Sequence, residues 1–262
     1  MGGAPRAKPE RSGVFAFKKR PRKLDCRERH GQLAEFEWRI FSQNGEDGII
    51  AEIFRRIGPG KRTLVEIGVE DGLQCNTALL VKRSRWGGWM IEGDPARAAQ
   101  LAHNYRRYRK RLRTVEKIID AENVVPLFEE LGVPREFDLL SIDVDGNDYW
   151  VWQALAGYRP RVVVLEFNIA YPPPAEWIIA YDPNHRFDNT SYYGASLSSM
   201  CELGKELGYA FVGINCNVVN AFFLREDVLP ASRFERTRPE DVYHYPPTFP
   251  WHPYRWGPSA DI

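Results

Sequence analysis

The stretch LVEIGVEDGLQCNT, Leu64–Thr77, decides the fold. Its apolar start, from Leu64 to Ile67, predicts a buried strand, and the glycines at 68 and 72 predict a turn into a helix. A dinucleotide-binding loop would carry G-x-G-x-x-G, whose backbone cradles a pyrophosphate at a helix N-terminus. This chain instead has Glu66 before the first glycine and an acidic loop after it. Carboxylates there repel a pyrophosphate and suit a ligand that bears a sulfonium or an ammonium group.

Outward from this stretch, β-rich apolar runs alternate with helix-sized segments. The sequence predicts strands over 63–68, 88–92, 113–119, 137–143 and 161–167, a pattern typical of a parallel sheet covered on both faces. The stretch SQNGEDGIIAEIFRRIG predicts a helix before the first strand, and 194–208 predicts another after the last. The runs YAFVGIN and NVVNAFFLRED then follow so closely that they predict an antiparallel pair at the sheet edge. We therefore predict an α/β fold with a doubly wound, mostly parallel sheet.

The length of 262 residues allows one domain with extensions. The formal net charge is only +1, but residues 1–30 hold ten Lys or Arg against three acids. We predict a basic, partly disordered extension over 1–40, the domain itself over 41–229, and a Pro- and aromatic-rich tail over 230–262. The segment 170–193 is irregular and rich in Pro and aromatic residues, which predicts a lid over the binding site.

Cysteine spacing and hydropathy bear on the compartment. No apolar stretch approaches the roughly 18 residues of a membrane span, and the N-terminus lacks the apolar core of a signal peptide. The four cysteines (Cys26, Cys75, Cys201 and Cys216) form no C-x-x-C pair, which argues against a zinc site and a disulfide framework. We expect a cytoplasmic protein.

Acidic residues end successive predicted strands, where ligands bind in such sheets. Glu92 lies 26 residues after Glu66, close to the offset of about 20 residues at which a carboxylate takes ribose hydroxyls. Asp120 follows the third strand, where it could accept a hydrogen bond from an adenine amino group beside the backbone of Ala121. Each acid could equally be a turn residue or a helix cap. Together they indicate S-adenosylmethionine.

Five segments resemble the FkbM-type S-adenosylmethionine-dependent methyltransferases: FSQNGEDGII, VEIGVEDGLQCNT, WMIEGD, LLSIDVDGNDYWVW and VVVLEFN. The resemblance covers about 41–227 and implies the Rossmann-like class I methyltransferase fold, with seven strands and an antiparallel edge hairpin. It also implies methylation of hydroxyl groups on sugars or natural products. The cofactor contacts that we expect come from Glu66, Gly68, Gly72, Asn76, Glu92, Asp120, Ala121 and Asp143.

The ends of the fourth and fifth strands carry the candidate chemistry of methyl transfer. Asp143, Glu166 and Asn168 are oxygen donors at adjacent strand ends, which suits Mg²⁺. A cation there would lower the pKa of the acceptor hydroxyl, and the arrangement resembles the metal site of the catechol-type methyltransferases. Alternatively, Asp145 and Asn147 cap the next helix, and Glu166 binds a substrate hydroxyl or a backbone amide without an ion.

Without a metal the reaction needs a general base, and the predicted lid offers His185. A histidine in a loop could also be a surface residue. The lid aromatics would either stack on a sugar or aromatic acceptor or pack the lid against the domain (Trp177, Tyr181, Tyr192 and Tyr193).

The sequence thus favours an O-methyltransferase that acts on a small-molecule or saccharide hydroxyl, with S-adenosylmethionine as cofactor and Mg²⁺ as a candidate second one. A homo-oligomer is compatible with it. The first alternative is a noncatalytic nucleoside- or partner-binding protein on a methyltransferase scaffold. The second is nucleic-acid methylation, suggested by the basic extension and the arginines between 106 and 113, although no base-flipping motif of the N-P-P-Y type accompanies them.

Overall fold

The computed structural model describes residues 22–23 and 31–244. Two short strands, β1 (Arg22–Lys23) and β2 (Trp38–Arg39), pair in antiparallel fashion before the main domain. Within the described ranges the main sheet has seven strands: β3 (Thr63–Ile67), β4 (Gly87–Glu92), β5 (Leu112–Glu116), β6 (Leu139–Ile142), β7 (Val162–Glu166), β8 (Tyr209–Ile214) and β9 (Asn220–Arg225).

Strand order in this sheet is β5-β4-β3-β6-β7-β9-β8. The pairs from β5 to β7 are parallel, whereas β9 runs antiparallel to both β7 and β8. The predicted fold class, including the antiparallel edge hairpin, is confirmed. Strand order reverses between β3 and β6, which is where an open α/β sheet forms its binding crevice.

Helices cover both faces of the sheet, and their bounds are α1 (Glu46–Ile57), α2 (Ala78–Ser84), α3 (Pro95–Tyr105), α4 (Val124–Leu131), α5 (Asp148–Ala154), α6 (Leu197–Glu206), α7 (Leu229–Ser232) and α8 (Pro239–Val242). Local signals set several ends. The Asp94 carboxylate accepts a hydrogen bond from the Arg97 backbone at 2.8 Å and so caps α3, and Ser196 caps α6 in the same way. The first turn of α1 carries two acids and its last turn two arginines, which complements the helix dipole.

The apolar side chains of each central strand divide alternately between two cores. On β7, Val162 and Val164 belong to the core beneath α1, α2 and α3. Val163 and Leu165 belong to the core beneath α4, α5 and α6. Because successive side chains of a strand point to opposite faces, this division requires both faces to be covered. It is the reason that the strands are almost continuously apolar.

Residues on either side of the predicted domain, 41–229, also pack against it. Leu33 is buried against Gly213, and the Gln32 amide donates to the carbonyl of Val212 at 3.0 Å. Phe234 and Val242 are buried as well. The rest of the predicted basic extension and most of the predicted tail lie outside the described residues.

One cysteine departs from the sequence prediction. Cys216 is disulfide-bonded, whereas Cys75 and Cys201 are free thiols. The prediction that the cysteines form no disulfide is wrong at Cys216, and their spacing therefore no longer supports a reducing compartment. In the described part of the chain, no helix is both long and apolar enough to cross a membrane.

Candidate active site

A cleft of about 580 Å³ opens at the carboxyl ends of the parallel strands, within the roughly 300–1,000 Å³ typical of small-molecule sites. Its walls come from the loops after β3, β4, β5 and β6, from the start of α1 and of β9, and from Pro183, His185, Arg186 and Phe187 of the segment 170–193, the predicted lid. Arg97, Lys117 and Arg186 are the cations that line it. They are outnumbered by the lining carboxylates: Glu46, Glu66, Glu70, Glu92, Asp94, Asp143, Asp145 and Glu166. The cleft therefore favours a cationic ligand.

Of the two glycines in the loop after β3, one faces the cleft. Gly68 has φ +78°, and a Cβ there would lie 1.5 Å from the carbonyl oxygen of Asp143. It thus permits the contact between the ends of β3 and β6 at the reversal point. Gly72 is not a cleft residue, because a Cβ there would meet the ring of Tyr105 at 2.4 Å. Its place is in the packing of the loop against α3.

Glu66 is buried and holds the loop that follows β3. One carboxylate oxygen accepts from the Asn76 backbone at 2.7 Å, and the other accepts from the Thr77 backbone at 3.1 Å. Burial raises the pKa of Glu66 in spite of these bonds. Asn76 also lines the cleft, and its side chain donates to the Ser141 hydroxyl at 3.1 Å. Both predicted residues are thus at the cleft, with the Glu66 carboxylate fixing the start of α2.

Glu92 lies at the end of β4 with both oxygens facing backbone amides. One oxygen accepts from the Glu70 backbone at 2.7 Å and the other from the Asp94 backbone at 2.8 Å. A carboxylate has about four lone-pair sites. Glu92 therefore keeps the capacity to accept hydrogen bonds from two ribose hydroxyls.

Asp120 and Ala121 do not line the cleft. The Asp120 carboxylate accepts from the backbones of Glu122 and Asn123, so it shapes the turn before α4. The wall at the end of β5 is formed instead by Lys117, Ile118 and Ile119.

Sequence reasoning missed two apolar residues of the cleft. Ile118 is 49% exposed and Phe187 43% exposed, and both line the cleft. Exposed apolar side chains in an acidic cleft suit a flat aromatic base. For Ile118, the sequence feature that could have indicated a cleft position is its place just before the polar turn at 120–123.

Three carboxylates meet where β6 and β7 end. Oxygens of Asp143, Asp145 and Glu166 all lie within 4.8 Å of one another. None of these carboxylates accepts a hydrogen bond from a described residue. Burial, followed by the neighbouring carboxylates, raises the pKa of Asp143 and of Glu166 well above the usual range. Such a cluster is ready to hold either a proton or a hard cation.

The turn after β6 is fixed by Asp148. Its carboxylate accepts from the backbones of Val144 at 3.0 Å and Gly146 at 3.1 Å, and burial raises its pKa to about 6. Asn147 makes no capping bond and donates instead to the carbonyl of Asp182 in the lid. Asp145, at φ +56°, is thereby left with its carboxylate at the cleft.

The structure does not bring Asn168 to the carboxylate cluster. Its side chain is fully buried and outside the cleft lining. The amide oxygen accepts from the Ala170 backbone at 2.8 Å, and the nitrogen donates to the carbonyls of Ser191 at 2.8 Å and Tyr193 at 2.6 Å. The Asn168 amide uses these hydrogen bonds to join the two ends of the lid. Its oxygen is therefore not available to a cation.

His185 lies over the turn after β6 and lines the cleft. A Cβ at Gly146 would be 2.2 Å from the imidazole Cδ2, so the ring rests directly on the glycine backbone. The imidazole Nε2 is buried and has no hydrogen-bond partner among the described residues. A Cβ at Gly146 would lie 2.7 Å from this Nε2 atom, so the atom faces the glycine backbone in this conformation, and the role of His185 as a general base stays a prediction.

The predicted lid aromatics pack mainly on one another. The Trp177 ring stacks on Tyr171 with ring centroids 4.1 Å apart and contacts Tyr192 edge-on at 5.7 Å. Tyr181 contacts Trp150 in the same way. None of the four predicted aromatics lines the cleft. They are packing residues of the lid in this conformation.

Glu46, from the SQNGEDG stretch, is a third cleft residue that sequence reasoning missed. It is fully buried at the start of α1 and lines the cleft. Its carboxylate accepts from the Asn44 backbone at 2.9 Å and from the side chains of Asn215 at 3.1 Å and Asn220 at 2.9 Å. The signal was an acid in a polar turn, which an N-terminal helix position explains equally well.

No protein-family model and no curated protein matches the chain. Solved structures that are similar to it include the METTL16 MTase domain (12% identity, 68% of this chain and 66% of that one, TM-score 0.44). Others are the mitomycin 7-O-methyltransferase MmcR (16% identity, 68% and 55%, TM-score 0.40) and the magnesium protoporphyrin IX methyltransferase ChlM from Synechocystis PCC 6803 with bound SAH (10% identity, 69% and 83%, TM-score 0.43). The chain thus spans about two thirds or less of the first two.

Proposed function

We propose that the protein is an S-adenosylmethionine-dependent O-methyltransferase that acts on a hydroxyl group of a small molecule, a sugar or a natural product. The observation that carries the proposal is the acidic cleft at the reversal point of the sheet. It combines a glycine turn at the end of β3 with a carboxylate at the end of β4. A cofactor with a sulfonium and an ammonium group is a cation that such a cleft attracts.

In this proposal the cofactor lies across the ends of β3, β4 and β5. Gly68 allows the ends of β3 and β6 to meet at the cleft, and Glu92 accepts hydrogen bonds from the ribose hydroxyls. Ile118 and Phe187 offer the apolar surface for adenine. Glu66 and Asn76 keep the loop after β3 in place.

Methyl transfer requires an acceptor oxygen in line with the sulfonium and a destination for its proton. As the new O–C bond forms, the C–S bond breaks, and S-adenosylhomocysteine and a methyl ether are released. In this scheme the His185 imidazole, whose Nε2 rests on the Gly146 backbone, turns towards the cleft and takes the hydroxyl proton. Asp143, Asp145 and Glu166 fit a divalent cation, which when bound lowers the pKa of the acceptor hydroxyl.

Calorimetric titration of S-adenosylhomocysteine tests the proposal without knowledge of the acceptor. We expect micromolar binding to the unaltered protein, and a loss of about tenfold or more in Glu92→Ala, equivalent to about 1.4 kcal/mol of lost hydrogen bonding. Glu116→Ala is the matched control, because Glu116 pairs with Glu92 in register between β4 and β5 but is exposed and outside the cleft.

A second variant distinguishes the cofactor side of the cleft, at the ends of β3, β4 and β5, from the carboxylate cluster at the ends of β6 and β7. Asp143→Ala should keep S-adenosylhomocysteine binding and abolish transfer. The absence of S-adenosylhomocysteine binding in the unaltered protein would overturn the function. Equal loss of binding in Glu92→Ala and Asp143→Ala would overturn the division of roles.

A further inference from the structure

Asn220, the first residue of β9, is a cleft residue with an unused amide oxygen. It is 3% exposed and lines the cleft. Its Nδ2 donates to the Glu46 carboxylate at 2.9 Å. Its Oδ1 is buried and has no hydrogen-bond partner among the described residues. A buried carbonyl oxygen without a donor from the protein is free to accept from, or coordinate, a water, an ion or a ligand in the cleft.

The sheet register places Asn220 beside the carboxylate cluster. Asn220 is directly opposite Glu166 in the antiparallel pair of β7 and β9. Side chains of directly opposed residues lie on the same face, with Cβ atoms about 4.5–5.5 Å apart. Because β9 runs antiparallel to β7, its first residue reaches the edge where the parallel strands end.

Glu46 fixes which end of the Asn220 amide is available. Its Oε1 accepts from the side-chain nitrogens of both Asn220 and Asn215. Rotation of the Asn220 amide by half a turn would set its oxygen against this carboxylate. The Asn215 oxygen accepts from the backbones of Val219 and Asn220, which holds the turn before β9. Glu46 therefore directs the Asn220 oxygen away from itself.

We propose that the amide oxygen of Asn220 completes a divalent-cation site with the carboxylates of Asp143, Asp145 and Glu166, and that Glu46 orients this amide. Carboxylate and amide oxygens together are the ligands that Mg²⁺ and Mn²⁺ take in proteins. Asn220 thus fills the position that the sequence assigns to Asn168. The use of the cation in methyl transfer rests on the proposed function, but its binding does not.

Mn²⁺ binding, followed by electron paramagnetic resonance of the free ion, tests the site directly. We expect Asn220→Ala to weaken Mn²⁺ binding by tenfold or more, and Asn220→Ser, which keeps a short oxygen, to bind with intermediate affinity. Asn217→Ala is the matched control, since Asn217 is on the same turn and its side chain donates to Asn44 rather than to Glu46. Asn168→Ala should also keep the affinity of the unaltered protein.

Circular dichroism verifies that each variant is folded, and Asn220→Ser carries the test if Asn220→Ala does not fold. The inference is overturned if the unaltered protein binds no Mn²⁺, or if a folded Asn220 variant binds it as tightly as Asn217→Ala does. S-adenosylhomocysteine titration of the same proteins separates the two proposals. If the protein binds no S-adenosylhomocysteine but still binds Mn²⁺ in a manner that depends on Asn220, only the proposed function is overturned.

Discussion

Gly68 and Gly132 both have left-handed backbone conformations, at φ +78° and +69°, but they differ in what surrounds them. A Cβ at Gly132 would meet nothing within 4 Å, whereas a Cβ at Gly68 would overlap the Asp143 carbonyl. Gly132→Ala should therefore cost only the backbone term, about 1–2 kcal/mol of unfolding free energy. Gly68→Ala should cost about 1–3 kcal/mol more, because the ends of β3 and β6 must separate.

Urea unfolding of both variants measures this difference, and titration with S-adenosylhomocysteine measures its effect on the cleft. We expect Gly132→Ala to bind normally and Gly68→Ala to lose affinity. Equal unfolding free energies in the two variants would show that the contact between Gly68 and Asp143 does not constrain the cleft.

At the residue scale, sequence spacing identified which strand ends carry acids but not where each side chain points. Glu66, Glu92, Asp143 and Glu166 line the cleft as expected. The Asp120 carboxylate does not line the cleft and accepts a hydrogen bond from the Asn123 backbone just before α4. Aspartate serves at helix starts as well as at ligand sites, so the sequence could not distinguish the two roles. Asn220 could not be found in this way, because its neighbour Glu166 is fixed by strand pairing across 54 positions of sequence.

The lid is the element whose attachment can be tested most simply. Asn168→Ala removes three hydrogen bonds that join the lid ends to β7 and should lower the unfolding free energy by about 1–3 kcal/mol. The segment 170–193 should then be cleaved faster in limited proteolysis under native conditions. Asn184→Ala is the control, since this lid residue is exposed and its side chain bonds to no described residue. Similar cleavage rates in the two variants would contradict the tethering role.

The presence of each helix and strand was predictable where the apolar periodicity agreed with the capping residues, but the residues at which they begin and end were less so. The predicted strand 137–143 shortens to β6, Leu139–Ile142. Asp138 lies just before this strand, and its carboxylate accepts a hydrogen bond from the Thr63 backbone at 3.0 Å. The antiparallel pairing of β8 and β9 was predictable because the short connection allows little else. The packing of residues 31–40 onto the domain was not, because Leu33 contacts a glycine 180 positions away.

At the scale of the whole molecule, buried carboxylates make stability depend on pH. Burial raises the pKa of Glu66 above its ordinary value of 4.5, so the folded protein keeps a proton that the unfolded chain has already released. The Glu66 contribution to unfolding free energy is therefore full below about pH 4.5 and falls as pH rises towards the raised, folded-state pKa.

Glu66→Gln removes this titration while leaving the side-chain shape nearly unchanged. Its unfolding free energy should be lower than that of the unaltered protein at pH 5, because one amide oxygen replaces two acceptors for the backbones of Asn76 and Thr77. It should also decline less between pH 5 and pH 8. Urea unfolding at pH 5, 6, 7 and 8 gives both slopes, with exposed Glu116→Gln as the control that should follow the unaltered protein. Parallel slopes for Glu66→Gln and the unaltered protein would mean that Glu66 ionises as readily in the fold as in the unfolded chain, and that its backbone hydrogen bonds offset its burial.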